Sequence, residues 1–127
     1  MDHLINQALA RMGELTATDR AYLFKADSEH RTFSNTHEWT AAGVAPMIDR
    51  LQDVPWDFAP DSEKLLAAGS PVVIPRVAEL EEDRAEKVFL ESQSIRSLLI
   101  LPVMQGENLT GLVGFDAVRS EREWSSA

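Results

Sequence analysis

Two neighbouring apolar segments near the end of the chain limit its possible folds more than any other feature. They cover residues 97–104 and 108–115, and the polar sequence Gln105-Gly106-Glu107-Asn108 between them is typical of a β-hairpin turn. Apolar side chains follow one another without alternation along these segments, at Leu98, Leu99, Ile100, Leu101, Leu112 and Val113. A strand with one face in water would alternate apolar and polar residues, so we expect helices to cover both faces of this hairpin.

The rest of the chain predicts helices and strands arranged around this hairpin. Apolar residues at helical spacing predict a first helix over residues 2–13, with Gly13 as its C-terminal cap. Pro102 has no N–H to donate, so we expect it at a sheet edge or a bulge. Further strands are predicted at 20–25, 31–39 and 72–74, and further helices at 47–51, 63–68, 81–93 and, beginning near the chain end, 119–124.

This order of elements predicts the class of fold. Hairpins open and close the series, so the central sheet should be mainly antiparallel, with five or six strands. Helices on both of its faces make an α+β domain with three layers, α/β/α. A length of 127 residues and a hydrophobic fraction of 44% fit one such domain with a real core.

Composition excludes several classes of function. The formal net charge is −9 without a basic cluster, which excludes nucleic-acid binding and direct contact with anionic membranes. The chain has no cysteine, which excludes disulfides, thiolate metal sites and cysteine nucleophiles. The longest apolar run, residues 98–103, is far shorter than the roughly 20 residues that span a bilayer, and from the first residues we expect no signal peptide. We therefore expect a cytoplasmic domain.

No set of residues has the spacing of a catalytic or metal site. His3, His30 and His37 lack the spacing of metal ligands, and no serine lies in a G-x-S-x-G sequence. The acidic residues Glu81, Glu82, Asp83 and Glu86 are interpreted as a solvated helix face. Gly111 and Gly114 lie inside a strand, which predicts close packing and not phosphate binding. We predict no enzyme activity, no catalytic residue, no metal and no cofactor.

The candidate pocket residues are Trp39, Trp56, Phe58 and Ile74. Trp56 and Phe58 lie between Pro55 and Pro60, which interrupt regular structure, and aromatic residues in such segments often cover a core or a pocket. One interpretation is an aromatic lining for a small planar ligand. The other is ordinary core packing, and the sequence leaves both open.

Several phrases of the sequence, in this order and spacing, resemble GAF domains. The phrase at residues 94–103 resembles them most, and it continues into Leu109–Asp116. The others are Asp19–Phe24, Glu38-Trp39 followed by Gly43-Val44, Gly69–Ile74, and Arg119 followed by Arg122-Glu123-Trp124. The resemblance covers nearly the whole chain and is greatest to GAF domains of bacterial sensor histidine kinases and GGDEF or EAL signalling proteins.

The resemblance implies a single GAF domain over residues 1–127, with both terminal helices cut by the chain ends. It implies a regulatory domain that senses an unknown small molecule in a pocket between the sheet and the irregular middle segment. It also implies a homodimer that signals through the terminal helices to an output kinase or cyclic-di-nucleotide domain in the parent chain. The apolar stripe of the first helix must then pack on the sheet or on a partner helix.

Subtypes of the family are tested by the residues that this chain lacks. The Asn-Lys…Phe…Asp-Glu signature of cyclic-nucleotide binders is absent, and so are the cysteines that attach bilins or reduce free methionine sulfoxide. The alternative to a sensor is a ligand-free module for dimerisation and relay.

Overall fold

A computed structural model describes residues 2–124 and shows the predicted α+β fold. Single 3-10 turns lie at Ile48–Arg50, Trp56–Phe58 and Val77–Glu79. The helices are α1 (Asp2–Thr16), α2 (Pro60–Ala67) and α3 (Ala85–Glu91), and the strands are β1 (Arg20–Asp27), β2 (Thr32–Thr40), β3 (Val54–Pro55), β4 (Val72–Ile74), β5 (Ser97–Gln105) and β6 (Asn108–Ala117). None of the helices in residues 2–124 is long and apolar enough to cross a membrane.

The strands form one six-stranded sheet in the order β3-β2-β1-β6-β5-β4, and every neighbouring pair is antiparallel. Strand β1 lies inside the sheet, where it pairs with β2 on one side and β6 on the other. One face of the sheet packs against α2, α3 and the 3-10 turns, and the other packs against α1. The three-layer prediction is therefore confirmed, with six strands.

The β5–β6 hairpin is covered on both faces only over its first half. Leu98 is buried on the face of α2 and α3, and Leu99 packs on the face of α1. Further along β5, Leu101 and Val103 are 40% and 39% exposed, because α1 crosses β1 and β2 and does not extend over this end. Pro102 lies beyond the end of β4, so its missing N–H falls on a free edge of β5, as predicted.

Helix α1 does not end at Gly13 but continues through it to Thr16. Gly13 is buried under the ring of Trp39, and a Cβ atom there would collide with that ring. The residue is therefore selected for close packing and not for a left-handed cap. The apolar stripe of α1 packs on its own sheet through Ile5, Leu9 and Met12.

Three other predicted helices differ from the structure in extent or type. The helix predicted over 81–93 is limited to Ala85–Glu91, because Arg84 has extended backbone (φ −72°, ψ 125°). Residues 119–124 form no helix, although their N-terminal side is capped: the Asp19 carboxylate accepts hydrogen bonds from the backbone N–H groups of Val118 (2.5 Å) and Arg119 (3.0 Å). The segment predicted at 47–51 is the single 3-10 turn Ile48–Arg50.

Candidate ligand-binding cavity

A cavity lies between the sheet and the segment of residues 47–62, here called the roof segment. This central cavity has a volume of about 40 Å³, enough for a few water molecules and no more. Its walls are almost entirely apolar, and its polar lining residues are Glu38, Ser62, Glu86, Gln93 and Asp116.

Six aromatic rings line the central cavity in one continuous contact chain. Their neighbouring centroids lie between 4.1 and 6.4 Å apart. At the outer end Phe58 stacks on Phe89 of α3 with centroids 4.1 Å apart, and both rings are only half-buried, so this pair closes the side nearest to solvent. The six residues are Tyr22, Phe24, Phe33, Trp56, Phe58 and Phe89.

A buried ion pair forms the polar floor beside these rings. Arg20 Nη1 donates to Asp116 Oδ2 (3.2 Å), and the Tyr22 hydroxyl donates to Asp116 Oδ1 (2.7 Å). Arg20 also donates through Nε to the carbonyl of Ala45 (2.9 Å) and through Nη2 to the carbonyl of Gln93 (3.0 Å). The side chain of Arg20 therefore links the loop before the roof segment and the turn after α3 to the sheet.

Burial changes the acidity of both Asp116 and Tyr22 at this floor. It raises the pKa of Asp116 to about 6, although the hydrogen bond from Tyr22 and the charge of Arg20 act in the opposite direction. Burial and the neighbouring Asp116 charge raise the pKa of Tyr22 well above its usual range. The Tyr22 ring reaches Asp116 across Gly114, where a Cβ atom would collide with the ring. The predicted close packing at Gly114 is confirmed.

Glu38 lies beside this floor, opposite Tyr22 in the strand register. Its carboxylate accepts hydrogen bonds from the backbone N–H groups of Met47 (3.0 and 3.2 Å to its two oxygens) and Ile48 (3.2 Å). Burial raises the pKa of Glu38, and the two N–H groups partly oppose that rise. The carboxylate thus joins β2 directly to the start of the roof segment.

A bulge in β2 decides which side chains reach the cavity. Leu23 pairs with His37 while Phe24 pairs with Asn35, so Thr36 has no partner on β1. Strict alternation from Phe33 would place Trp39 on the cavity face, but the extra residue reverses the two faces beyond it. As a result Glu38 enters the cavity and Trp39 packs against α1.

The structure therefore separates the four predicted pocket residues. Trp56 and Phe58 line the central cavity, whereas Trp39 lies on the opposite face of the sheet. Ile74 packs at the edge of the same core but lines a shallow groove outside the cavity. The placement of Trp39 and Ile74 in the pocket is corrected, and ligand contact by Trp56 and Phe58 stays a prediction.

The polar groups of the cavity were not predicted as a set. Arg20 and Tyr22 are 96 and 94 residues from Asp116 along the chain, and no local spacing marks them as partners. Glu86 was assigned to a solvated face, but it is 3% exposed: it accepts from Ser62 Oγ (2.6 Å) and pairs with Arg84 (2.9 Å). Its acidic neighbours 81–83 are exposed as expected.

Residues 2–124 contain no cluster of three or more histidine, aspartate or glutamate side chains able to hold a metal. The central cavity offers aromatic surface and the carboxylates of Glu38, Glu86 and Asp116.

The fold and the cavity define a GAF-type domain, and comparison with known proteins agrees. The family model described as GAF domain matches residues 1–127, and the chain belongs to this family. It is 36% identical over 134 residues to the methanogenesis regulatory histidine kinase FilI of Methanothrix harundinacea (strain 6Ac). The match covers 99% of this chain but only 14% of that protein.

Solved structures with the same fold include several photoreceptor domains. The GAF domain of Thermosynechococcus elongatus PixJ in its blue-light absorbing form superposes with a TM-score of 0.81 at 18% identity, covering 98% of this chain and 73% of that one. GAF3 of Slr1393 from Synechocystis sp. PCC6803 gives a TM-score of 0.80 at 20% identity, covering 99% of this chain and 82% of that one. At such identities the likeness establishes the fold alone.

Proposed function

We propose that this domain is a regulatory small-molecule sensor within a larger bacterial signal-transduction protein, acts in the cytoplasm and catalyses no reaction. Its ligand occupies the central cavity, and its output is a kinase or cyclic-di-nucleotide domain in the same parent chain. The histidine kinase among its relatives supports a kinase output. The observation that carries the proposal is an aromatic cavity with a polar floor beneath a roof of 3-10 turns.

The roof segment is suited to open for a ligand. Before α2 it contains only two 3-10 turns and the two-residue strand β3, so little regular hydrogen bonding holds it. Its ties to the strands beneath include the Glu38 carboxylate and the bond from the Asn35 N–H to the Leu51 carbonyl (2.8 Å). A ligand that binds the open arrangement better than the closed one shifts the population towards it by that difference in affinity.

Glu38 and Trp39 offer a short route from the cavity to α1. They are consecutive residues on opposite faces of β2, so a ligand that pulls Glu38 away from Met47 also displaces the ring of Trp39. That ring covers Gly13 without any intervening side chain, so its movement changes the position of α1 on the sheet. In this way the occupied cavity alters a helix that leads out of the domain.

A thermal-shift screen with a broad metabolite library tests the sensor. We expect at least one compound to raise the melting temperature, because a ligand of the native state alone stabilises it. Ala59 lines the cavity, so the added methyl groups of Ala59→Val should fill part of its volume and abolish the rise in melting temperature. Ala42→Val, at an exposed turn, should leave that rise unchanged. A library without any stabilising compound, or one whose effects survive Ala59→Val, contradicts the proposal.

A ligand-free module for dimerisation and relay is the second candidate. It is favoured by the small volume of the cavity, about 40 Å³, which the aromatic side chains nearly fill. It is also favoured by the outer face of α1, where Leu4 and Leu15 are 65% and 73% exposed. Light scattering tests dimerisation, which Leu4→Gln/Leu15→Gln should abolish in either case. An output activity of the parent protein that Ala59→Val leaves unchanged supports the relay module over the sensor.

A further inference from the structure

We propose that the ligand of the central cavity is a compact organic cation with a flat apolar body, and that Glu38 binds its charged end. The inference rests on the proposed sensor function and adds the chemical class of the ligand. It follows from the charges that line the cavity, from the unused acceptor capacity of Glu38 and from the aromatic walls.

The charged side chains lining the cavity are all acidic. Of the three carboxylates, Asp116 is neutralised by Arg20 (3.2 Å) and Glu86 by Arg84 (2.9 Å). Within residues 2–124 no lysine, arginine or histidine lines the cavity, and Glu38 takes part in no ion pair. Glu38 is therefore the cavity carboxylate with no cation at ion-pair distance, and the charge of Arg20 reaches it only from farther away.

Glu38 also keeps acceptor capacity for a ligand. One oxygen accepts from Met47 and Ile48, and the other accepts the longer branch of the bond from Met47 (3.2 Å), with the side-chain amide of Asn35 nearby. An ionised carboxylate offers about four lone-pair positions, so at least one remains for a donor inside the cavity. A charged N–H donor placed there gains a hydrogen bond roughly twice as strong as a neutral one.

The aromatic walls select the rest of the ligand. Rings such as Phe33, Trp56 and Phe58 present apolar surface for a flat body, and their faces attract a positive charge. An anion would meet unpaired Glu38 instead, with no free cation to compensate, because Arg20 already directs Nε, Nη1 and Nη2 at protein acceptors. A cavity that binds a cation in this way therefore disfavours an anion of the same shape.

The closed cavity limits the size of the ligand. A volume of about 40 Å³ must expand before any organic molecule enters. The Phe58–Phe89 stack is a half-exposed part of the lining, as Glu38 and Ile100 also are, and we expect entry where these two rings separate because no backbone has to move there. A ligand of one ring requires the smallest opening.

Three one-ring compounds of nearly equal shape test the charge rule by isothermal titration calorimetry: benzamidine is cationic, benzamide neutral and benzoate anionic. We expect benzamidine to bind at least about tenfold more tightly than benzamide, with benzoate weakest. In Glu38→Gln the preference of benzamidine over benzamide should fall by about tenfold. Glu81→Gln removes the same charge from an exposed position outside the cavity and should leave the preference unchanged.

Three results would each overturn the proposal of a cationic ligand: equal affinities for the three compounds, a preference for benzoate, or no binding of benzamidine. The comparison within the wild-type protein stands even if Glu38→Gln fails to fold. If the metabolite library yields an anionic ligand that Ala59→Val excludes, the sensor function survives while this inference fails. If no compound of any charge binds, both fail.

Discussion

The two faces of the sheet differ in the size of their apolar clusters and in the elements that cover them. The cavity face, within the described residues, buries a cluster of fourteen apolar residues beneath short helices and 3-10 turns, with a polar floor at Arg20 and Asp116. The α1 face buries a cluster of three, beneath one long helix, and leaves Leu101 and Val103 partly exposed. The cavity face is suited to enclose a ligand, and the α1 face carries a helix whose position on the sheet can change.

The largest expected effect comes from the floor of the cavity face. Arg20→Met leaves Asp116 buried without its cation, which should lower the free energy of unfolding by about 3–5 kcal/mol. Arg20→Met/Asp116→Leu removes both charges and should recover most of that loss. Urea unfolding at neutral pH measures both. If Arg20→Met lowered the free energy of unfolding by less than about 1 kcal/mol, the Arg20–Asp116 pair would not be important for the stability of this face.

The pH dependence of stability tests the same floor through Asp116. Its pKa is raised from 3.8 to about 6 in the native state, so the native state holds the extra proton between these values. Its contribution to stability is therefore complete below about pH 4 and is lost as the pH rises through about 6. Asp116→Asn lacks this titration. We expect the unfolding free energy of wild type relative to Asp116→Asn to fall by at most about 3 kcal/mol over that range. A relative stability that rises with pH would contradict the assignment.

On the α1 face the expected effect is smaller and steric. Gly13→Ala gains helix propensity but places a methyl group against the ring of Trp39, and the net loss of stability should be about 1–2 kcal/mol. Trp39→Leu makes room for that methyl group, so the two substitutions should be non-additive in a double-mutant cycle. Additive losses would place the two residues out of contact.

The smallest expected effect is on the outer side of the same helix. Leu15 is 73% exposed, and Leu15→Gln should change the stability of the monomer by less than about 0.5 kcal/mol. Leu9→Ala, at a residue 2% exposed on the inner side, serves as the contrast and should lose about 2–4 kcal/mol. Comparable losses at both positions in thermal unfolding would mean that α1 buries its outer side as well, as in a dimer.

The sequence predicts regular elements of this fold well because their signals are local. The β5–β6 hairpin, the edge position of Pro102 and the contribution of Trp56 and Phe58 to the cavity lining follow from composition and turn residues. The resemblance to GAF domains is confirmed by the family model, whereas the order of the strands in the sheet is known from the structure alone.

The residues that the sequence misplaces depend on non-local geometry. Trp39 changes faces because of one unpaired residue, Thr36, which no periodicity reveals. Glu86 is buried because Ser62 and Arg84 satisfy its carboxylate, although its acidic neighbours suggest a solvated face. The segment 119–124 has helical composition, but the Arg122 N–H donates to Ser97 Oγ on β5 (2.9 Å) and not to a carbonyl within its own segment.

The central claim is that the cavity face and α1 are coupled through Glu38 and Trp39. Amide hydrogen exchange of the wild-type domain, with and without saturating benzamidine, tests it most directly. We expect altered protection in the roof segment and, on the far side of the sheet, in α1 around Gly13. Protection that changes in the roof segment alone, or nowhere, would contradict it.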